Sequence, residues 1–429
     1  MFQTFRNAWS IPELRKKLIY TLIMIVIFRF GSVVLLVPGI NTEGLRILFD
    51  NYTQQGNLLG YLNVLTGGSL QNATVFAMSI TPYINASIII QLLTIAIPAL
   101  ERLAKEGGEE GKKKIALITR YSTVALALIQ GITYYILLKN QNLLLKTDFW
   151  TAIVIVMSFT AGSAIVMWMG ENISEKGIGN GISILLFVGI LSRTPSMIFG
   201  LYSYMIMGGW YIVATILIAI MFLIMIAFIV YVTNAERRIP VQYAKRMVGR
   251  KLYGGQSTNL PMKVNMSGVL PVIFASTLLS FPGTIIQFFS PAEGTFWYGV
   301  GKFLAPTSWF YIVMYLILIF GFSYFYSAIQ FNPVEVANNL KKNGGFVMGY
   351  RPGKPTSDFL VKILNKITFI GAAFLAIIAV IPVIFGAVTG MSAVIIGGTS
   401  VLIVVGVALE TSKQLEAQIM MRHYKGFLE

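Results

Sequence analysis

The chain has 429 residues, of which 56% are hydrophobic and only 12% are charged, and its mean hydropathy is +0.73. Soluble domains usually carry about 25% charged residues, so this composition excludes a globular protein whose whole surface faces water. The absence of Cys excludes disulfides, thiolate metal sites and cysteine nucleophiles. The single histidine, His423, excludes zinc and haem sites that need two imidazoles. We therefore expect a membrane protein with no metal and no cofactor. Its net charge of +16 points to nucleic acid, anionic lipid or acidic proteins as partners.

Ten stretches of the chain are long and apolar enough to cross a bilayer. A helix that spans roughly 30 Å of hydrocarbon needs about 20 mainly apolar residues. The stretches are residues 18–36, 74–97, 115–138, 149–169, 182–200, 211–232, 267–289, 309–328, 367–386 and 394–409. The first is not predicted to be a signal peptide, because it has no small-residue cleavage site and more membrane sequence follows it. The sequence thus predicts an all-α polytopic membrane protein with ten transmembrane helices.

Basic residues are distributed unevenly between the two sides of these spans. An even number of spans places both termini on one side, and the segments on that side hold most of the 33 Lys and Arg residues. Because basic loops stay in the cytoplasm, we expect both termini to be cytoplasmic. A division after the fifth span gives halves 1–205 and 206–429 with five spans each. Such halves enter the membrane in opposite orientations and place a central pore at their interface.

The N-terminal region carries two local signals. Residues 10–13, SIPE, match a capping box with Pro in the first helical turn, which predicts a short interfacial helix ahead of the first span. Arg29 is the only charge that we place well inside a span. Its side chain could extend to the outer face as an anchor, or it could pair with a carbonyl or helix end for a functional reason. The sequence leaves both alternatives open.

The segment before the second span, residues 63–72, is half-apolar and rich in glycine, unlike either a polar loop or a span. Pro82 follows it and is expected to break the helical run of the second span. Irregular backbone at membrane depth persists only where protein or a water-filled cavity satisfies its polar groups. This pattern favours a short half-helix that folds back into a cavity. The alternative is an ordinary outer loop.

Polar side chains mark one face of the second span and a patch of the seventh. They are Ser87, Gln91 and Thr94 in the second span and Ser276, Thr277 and Ser280 in the seventh. Hydroxyl and amide side chains in apolar spans often serve only to join neighbouring helices. Because the two spans belong to opposite halves and both contain proline, a seam that can part is the other interpretation.

Two long cytoplasmic loops show local order. In residues 233–264, apolar residues alternate on both sides of a glycine-rich turn, which predicts a protruding β ribbon. Its basic residues are Arg237, Arg238, Lys245, Arg246, Arg250 and Lys251. In residues 330–366 we expect a helix over 333–342 and then a turn that carries Arg351 and Lys354. These loops could merely fix membrane topology and contact anionic lipid, but their length and order favour docking of an acidic or RNA-containing partner.

The sequence contains no recognisable catalytic set. The HExxH, Walker and GxSxG motifs are absent, and residues 177–181, GIGNG, lack the dinucleotide-binding spacing. A secondary transporter of a small solute is the main alternative to a passive channel. The scarcity of ionisable groups inside the spans and the length of the basic loops count against it. An intramembrane enzyme would need a nucleophile, base or metal set that we do not find.

Eight motifs resemble the SecY family of protein-translocation channels. They are TPYINASIIIQ at 81–91, GIGNGIS at 177–183, YAKR at 243–246, QSTNLPMKVN at 256–265, VLPVIFAS at 269–276, NP at 332–333, RPG at 351–353 and GGTSVLIV at 397–404. The motifs follow the family order along essentially the whole chain. The resemblance implies a protein-conducting channel in a bacterial plasma membrane.

The resemblance also implies a pore closed at mid-membrane by a ring of apolar side chains. Matched motif by motif, the ring consists of Ile80, Ile84, Ile182, Leu186, Ile273 and Ile403. The family has Ile at most of these places, so Leu186 is a mild departure. The i, i+4 spacing of Ile80 with Ile84 and of Ile182 with Leu186 agrees with a shared helix face. By itself, that spacing is more typical of ordinary core residues.

Other roles come from the resemblance alone. It makes residues 63–72 a plug, whose candidate residues are Asn63, Gly67, Gly68, Ser69 and Asn72. It makes the second and seventh spans a lateral gate that releases signal sequences and membrane helices into lipid, with Asn180 joining the polar residues named above. It assigns the basic loops to docking of the SecA ATPase and the ribosome, with ribosomal RNA as a further contact. Small partners resembling SecE and SecG would flank the channel, and nascent chains would pass through it.

Overall fold

The computed structural model describes most of the chain. The described residues are 2–54, 58–105, 107–243, 246–248, 251–253, 257–288, 294–305, 308–389 and 397–425. Of the predicted docking residues, Lys245 and Arg250 lie outside these ranges.

The described residues are mainly helical. In chain order the helices are α1 Phe2–Ser10, α2 Pro12–Val33, α3 Thr42–Gln54, α4 Leu58–Leu65, α5 Thr81–Ala96, α6 Pro98–Lys105, α7 Gly108–Asn140, α8 Phe149–Lys176, α9 Gly181–Ile206, α10 Trp210–Asn234, α11 Leu270–Phe288, α12 Phe296–Phe303, α13 Trp309–Gln330, α14 Pro333–Lys342, α15 Lys354–Thr389 and α16 Gly397–Lys425. The strands are β1 Glu236–Tyr243, β2 Arg246–Val248, β3 Lys251–Tyr253, β4 Ser257–Lys263 and β5 Gly345–Val347.

The helices establish a multi-pass membrane protein. Among the described residues, six helices are long and apolar enough to cross a bilayer, and the bent pair α5 and α6 raises the number to seven. Each of the ten predicted spans overlaps a helix. The helices at the remaining predicted spans are not counted as spans on length and composition. α11 is too short, and α2 carries the charges of Lys16, Lys17 and Arg29.

Two local predictions at helix starts are wrong. Ser10 is not a helix cap, because α1 ends at Ser10, Ile11 occupies the cap position and α2 continues from Pro12 into the first predicted span. Pro82 does not break a helix either. It lies in the first turn of α5, where proline is favoured because its missing N–H costs no hydrogen bond. Residues 74–80 therefore form turns and an isolated β bridge, and only residues 81–96 of the predicted second span are helical.

A small three-stranded sheet joins the two predicted cytoplasmic loops. The described fold is therefore mainly helical with a small sheet, and the expectation of an all-α fold is corrected. β1 pairs antiparallel with β4, with Glu236 opposite Lys263, and the predicted ribbon is thereby confirmed. β1 also pairs antiparallel with β5, with Val241 opposite Val347. The second partner was not predicted, because β5 has only three residues and its pairing is set by contacts more than 90 residues away in sequence. Apolar side chains of the sheet pack on α15.

The helices share one large apolar core that includes residues of α2, α5, α8, α9, α10, α11, α13, α15 and α16. At Gly162 of α8, the backbone of another segment packs closely against this core. A Cβ at Gly162 of α8 would lie 1.8 Å from the carbonyl oxygen of Val75 and 2.9 Å from its side chain. The absence of a side chain at Gly162 therefore lets the turns before α5 pack directly on α8.

We predict that Gly162→Ala destabilises the protein. The added methyl group would meet a backbone carbonyl that cannot rotate away, and overpacking of this kind costs about 1–3 kcal/mol. Thermal unfolding of the purified chain in detergent measures the loss. Gly200→Ala is the matched control, because a Cβ there meets nothing within 4 Å and alanine favours a helix. Equal unfolding temperatures for the two variants would contradict this packing.

Candidate functional site

The six residues of the predicted ring, which we call the apolar cluster, all lie in the large apolar core, which they share with side chains of most of the other helices. Ile80 and Ile84 belong to the start of α5, Ile182 and Leu186 to α9, Ile273 to α11 and Ile403 to α16. A Cβ at Gly170 of α8 would lie 3.3 Å from both Ile80 and Ile182, so these two side chains meet over the same glycine. The structure thus places all six residues in one core, where four of them line one cavity, and the ring itself stays a prediction.

Two cavities border residues of the apolar cluster. A cavity of about 70 Å³ is lined by Ile84, Leu186, Ile273 and Ile403, together with side chains of residues 62–70. A wider cavity of about 440 Å³ reaches polar residues at the end of β4 and along α16, and Ile273 lines it as well. Ile273 therefore borders both spaces. The apolar cluster offers no oxygen ligands that could replace the water around an ion.

The wider cavity has a charged wall. Lys263 of β4 and Glu410, Lys413 and Gln414 of α16 line it, with the buried amide of Asn265 nearby. Burial, and then the neighbouring charge of Lys263, lower the pKa of Lys413 below its usual value. The cavity is therefore polar and charged on the side of the sheet and apolar where it meets the cluster.

Residues 63–72, which we call the plug segment, are folded into the protein rather than exposed as a loop. Asn63, in the last turn of α4, and Ser69 are both 0% exposed, and Gly67 and Gly68 are buried. The Asn63 amide donates to Gln71 Oε1 at 2.7 Å, and its Oδ1 accepts from the Gln71 backbone at 3.1 Å. The two side chains thereby close the segment into a compact turn.

Surrounding helices hold the plug segment at several points. Tyr134 of α7 donates its hydroxyl to the Leu70 carbonyl at 2.7 Å, and Arg46 of α3 donates to Asn72 Oδ1 at 2.8 Å. A Cβ at Gly67, whose φ is +70°, would lie 2.8 Å from the carbonyl oxygen of Gly189 in α9. Glycine is required there both by the positive φ and by the close approach.

The seam between α5 and α11 is lined by polar side chains. Thr81 and Asn85 of α5 face the same small cavity as Ser276, Thr277 and Ser280 of α11. Ser276 and Ser280 donate to carbonyls of their own helix, at 2.9 Å to Ile273 and 2.5 Å to Ser276. Their hydroxyls are thus satisfied within α11, so the two helices can separate without breaking these bonds.

Farther along α5 a polar side chain crosses the seam to another helix. The Tyr326 hydroxyl of α13 donates a short hydrogen bond to Gln91 Oε1, and the Gln91 amide donates to Ser87 Oγ at 3.2 Å. Thr94 donates to the Ile90 carbonyl of its own helix at 2.7 Å. Two of the three residues in the predicted stripe on α5 therefore take part in a bridge to α13.

Asn180 has a capping role. Its side chain accepts hydrogen bonds from the backbone of Ile182 and Ser183 at 3.1 and 3.3 Å and so starts α9. It is exposed and is not among the residues that line the small cavity. Its contribution to the seam stays a prediction.

Four of the predicted docking residues have exposed side chains. Arg237 and Arg238 are exposed on β1, and Arg238 pairs with Glu236 at 2.8 Å. Arg351 and Lys354 are exposed at the start of α15. A stacked pair, Tyr350 and Phe359, with centroids 4.1 Å apart, holds that turn on the helix. Arg246 and Lys251 belong to the strands β2 and β3.

Comparison with known proteins gives a consistent answer. The SecY family model matches residues 74–412. A relative from Streptomyces scabiei, "Protein translocase subunit SecY", is 44% identical, and the match covers 100% of both chains. A relative of the same name from Thermotoga maritima is 42% identical over 100% of this chain and 98% of its own. The chain belongs to the SecY family.

Solved structures support the SecY fold at lower identity. One described as "a protein conducting channel" has a TM-score of 0.63 at 17% identity and covers 94% of this chain and 92% of its own. Another, with a TM-score of 0.64, 17% identity and the same coverage, concerns the plug domain that stabilises the closed state of SecY. A third is Sec61 in a canine ribosome–channel complex, with a TM-score of 0.62, 18% identity and coverage of 94% and 92%.

Sequence reasoning missed three residues of this SecY site. Arg193 is a second arginine inside an apolar helix, so the expectation that Arg29 is the only such charge is wrong. Gln71 bonds to both Asn63 and Arg193, and Tyr326 crosses the seam. Hydropathy averages hide an isolated Arg in a long apolar run. A check of every charge within the predicted span 182–200 would have found Arg193, whereas the partners of Gln71 and Tyr326 depend on the tertiary fold.

Proposed function

We propose that this SecY-family chain is a protein-conducting channel that passes unfolded preproteins across a bacterial plasma membrane. In this proposal ten helices, five from residues 1–205 and five from residues 206–429 in inverted orientation, surround the pore, and both termini are cytoplasmic. The observation that carries it is that four residues of the apolar cluster line a small cavity together with the buried plug segment, while Ile273 also borders the wider, charged cavity. The family and the fold neighbours support the same function.

The apolar cluster acts as the closure of the pore. Its six side chains are flexible aliphatic groups, so they can separate around a passing chain and close again behind it. At rest they leave an ion without ligands, and the cost of dehydration keeps ions out. Selectivity for an extended polypeptide over ions thus needs no catalytic or charged residue.

The plug segment closes the outer side of the pore at rest. It fills the space against α9 and α11 and lines the small cavity together with ring residues. Its side-chain hydrogen bonds to α3, α7 and α9 number one to each helix among the described residues, so the segment can leave as a unit while the helices stay in place.

The seam between α5 and α11 serves as the lateral gate. Signal sequences and membrane helices would leave through it into lipid, because these two helices meet beside the closure. The bridge from Gln91 to Tyr326 would hold one end of the gate closed and would break when α5 moves away from α13.

The exposed basic residues would bind the partners that drive translocation. Their positive charge on the β1 strand and at the start of α15 suits an acidic motor such as the SecA ATPase or ribosomal RNA, and anionic lipid lies within reach. Single-span subunits resembling SecE and SecG would flank the helices. A secondary transporter is the weaker candidate, because both intramembrane arginines that we describe bind neutral protein groups, Ser192 and Gln71, rather than facing a solute site.

The closure predicts an ion leak when its side chains become small and polar. We expect Ile84→Ser and Ile403→Ser to raise the resting conductance of the reconstituted complex, because each exchange brings water to the constriction. Planar-bilayer recording measures the conductance. Ile216→Ser on α10, where the side chain is 48% exposed, is the matched control and should leave conductance unchanged. Unchanged conductance in the two cluster variants would count against the closure.

The gate predicts that tying α5 to α11 stops export. The chain has no Cys, so Asn85→Cys with Thr277→Cys provides a single reactive pair in a clean background. A short bismaleimide should abolish preprotein import into inverted vesicles, and a long flexible one should have a smaller effect. Each single-cysteine variant treated with the same reagent is the control. Normal import after complete short crosslinking would exclude this seam as the gate.

The docking surface predicts that Arg351→Glu greatly reduces SecA-driven transport without unfolding the chain. The exchange places a negative charge at the turn that the proposed acidic partner contacts. ATP-driven translocation and the unfolding temperature are measured together. Lys146→Glu is the matched control, since it makes the same change in net charge at an exposed position outside the cytoplasmic loops. If Arg351→Glu transports as well as Lys146→Glu, Arg351 has no docking role.

A further inference from the structure

We propose that Arg193 is a positioning residue for the plug segment, and that its hydrogen bond to Gln71 biases the channel toward the closed state. This inference rests on the proposed role of the plug segment. Arg29, on the neighbouring helix α2, supports the same part of α9 and forms the second member of the arrangement.

The hydrogen bond joins α9 to the plug segment, which would leave its site when the channel opens. Arg193 Nη2 donates to Gln71 Oε1 at 3.3 Å, and the same oxygen accepts from the Asn63 amide at 2.7 Å. Because Asn63 also binds the Gln71 backbone, a force on Gln71 is transmitted to the whole turn. The guanidinium thus holds the plug segment at the residue that organises its fold.

The two glycines of the plug segment fit around this part of α9. A Cβ at Gly68, whose φ is +84°, would lie 3.2 Å from Arg193 Nη1, and one at Gly67 would lie 3.0 Å from Ser192 Oγ. Side chains at either position would push the segment away from Arg193. The absence of side chains at Gly67 and Gly68 therefore allows the plug segment to reach Arg193.

The depth of Arg193 makes the bond important. Arg193 lies twelve residues into α9, or about 18 Å along the helix axis at 1.5 Å per residue, which is close to mid-membrane. A guanidinium stays charged in a protein and must have acceptors. Gln71 provides the acceptor on the plug segment. When the segment leaves, Arg193 loses this acceptor, so the closed state gains stability relative to the open one.

Arg29 holds α9, the helix that contacts the plug segment, in place. Its Nη1 donates to Ser192 Oγ at 3.0 Å, and Ser192 Oγ donates to the Gly189 carbonyl at 2.6 Å. Arg29 therefore fixes the turn of α9 that both contacts the plug segment and presents Arg193. This contact is internal to the protein, so Arg29 is bound to a neighbouring helix rather than extended to the outer face.

A test compares the resting ion conductance of the complete reconstituted complex carrying Arg193→Gln, Gln71→Leu or both. A hydrogen bond to a charged group that exists only in the closed state should raise the open population roughly tenfold when it is lost. The double variant should leak no more than Gln71→Leu alone, because Gln71→Leu already removes the bond to Arg193 along with the bond to Asn63. Arg193→Lys should recover part of the closure, and Gln71→Glu should reduce the leak below the unmodified level.

A merely structural role for Arg193 gives a different pattern. It would lower the unfolding temperature in detergent, the effects of Arg193→Gln and Gln71→Leu would add, and Gln71→Glu would not tighten closure. That result would overturn the proposal. The plug itself is tested in parallel by deletion of residues 66–72. If the deletion raises conductance but the Arg193 and Gln71 variants do not, the plug stands and the positioning role fails. If the deletion has no effect on conductance, the plug role fails, and the inference fails with it.

Discussion

The structure depends on one constraint, which is that backbone polar groups at membrane depth must find partners within the protein. Residues 66–80 are not helical, yet they lie among apolar helices. Their backbone is satisfied by local turns, such as Gly68 to Asn63 at 2.8 Å, and by a short extended contact, Val75 to Leu35 at 2.8 Å. Glycine at position 162 of α8 gives the segment room. A stretch of irregular chain can thus lie among the membrane helices with its backbone hydrogen-bonded within the protein.

Both parts of the proposed closure, the plug segment and the apolar cluster, follow from this constraint. Because the plug segment satisfies its own backbone, the residues beside it can be purely aliphatic and still pack to a dry barrier. In the proposed function, the Ile and Leu side chains of the cluster block ions because they offer no ligands. The charged groups that we propose to bind partners lie on β1 and at the start of α15. In this proposal, separate regions of the chain perform sealing, gating and docking.

Much of this could be predicted from local sequence. Apolar runs indicated the helices, alternation in residues 233–264 indicated the ribbon, and the glycine-rich stretch indicated an irregular segment. Motif resemblance, rather than physics, selected the six ring residues. Contacts between distant segments could not be predicted, since nothing near β5 specifies β1 as its partner and nothing near Gln91 specifies Tyr326. Pro82 shows the limit of a local rule, because proline breaks a helix or begins one according to where the helix starts.

The central claim is that a translocating chain passes through the cluster of apolar side chains. The most direct measurement introduces a photo-crosslinking amino acid at Ile84, Leu186, Ile273 or Ile403 and arrests a preprotein midway through the membrane. We predict crosslinks from all four positions to the same short stretch of the arrested chain, and none from the lipid-facing position 216 on α10. Crosslinks from position 216 with none from the four cluster positions would contradict the account.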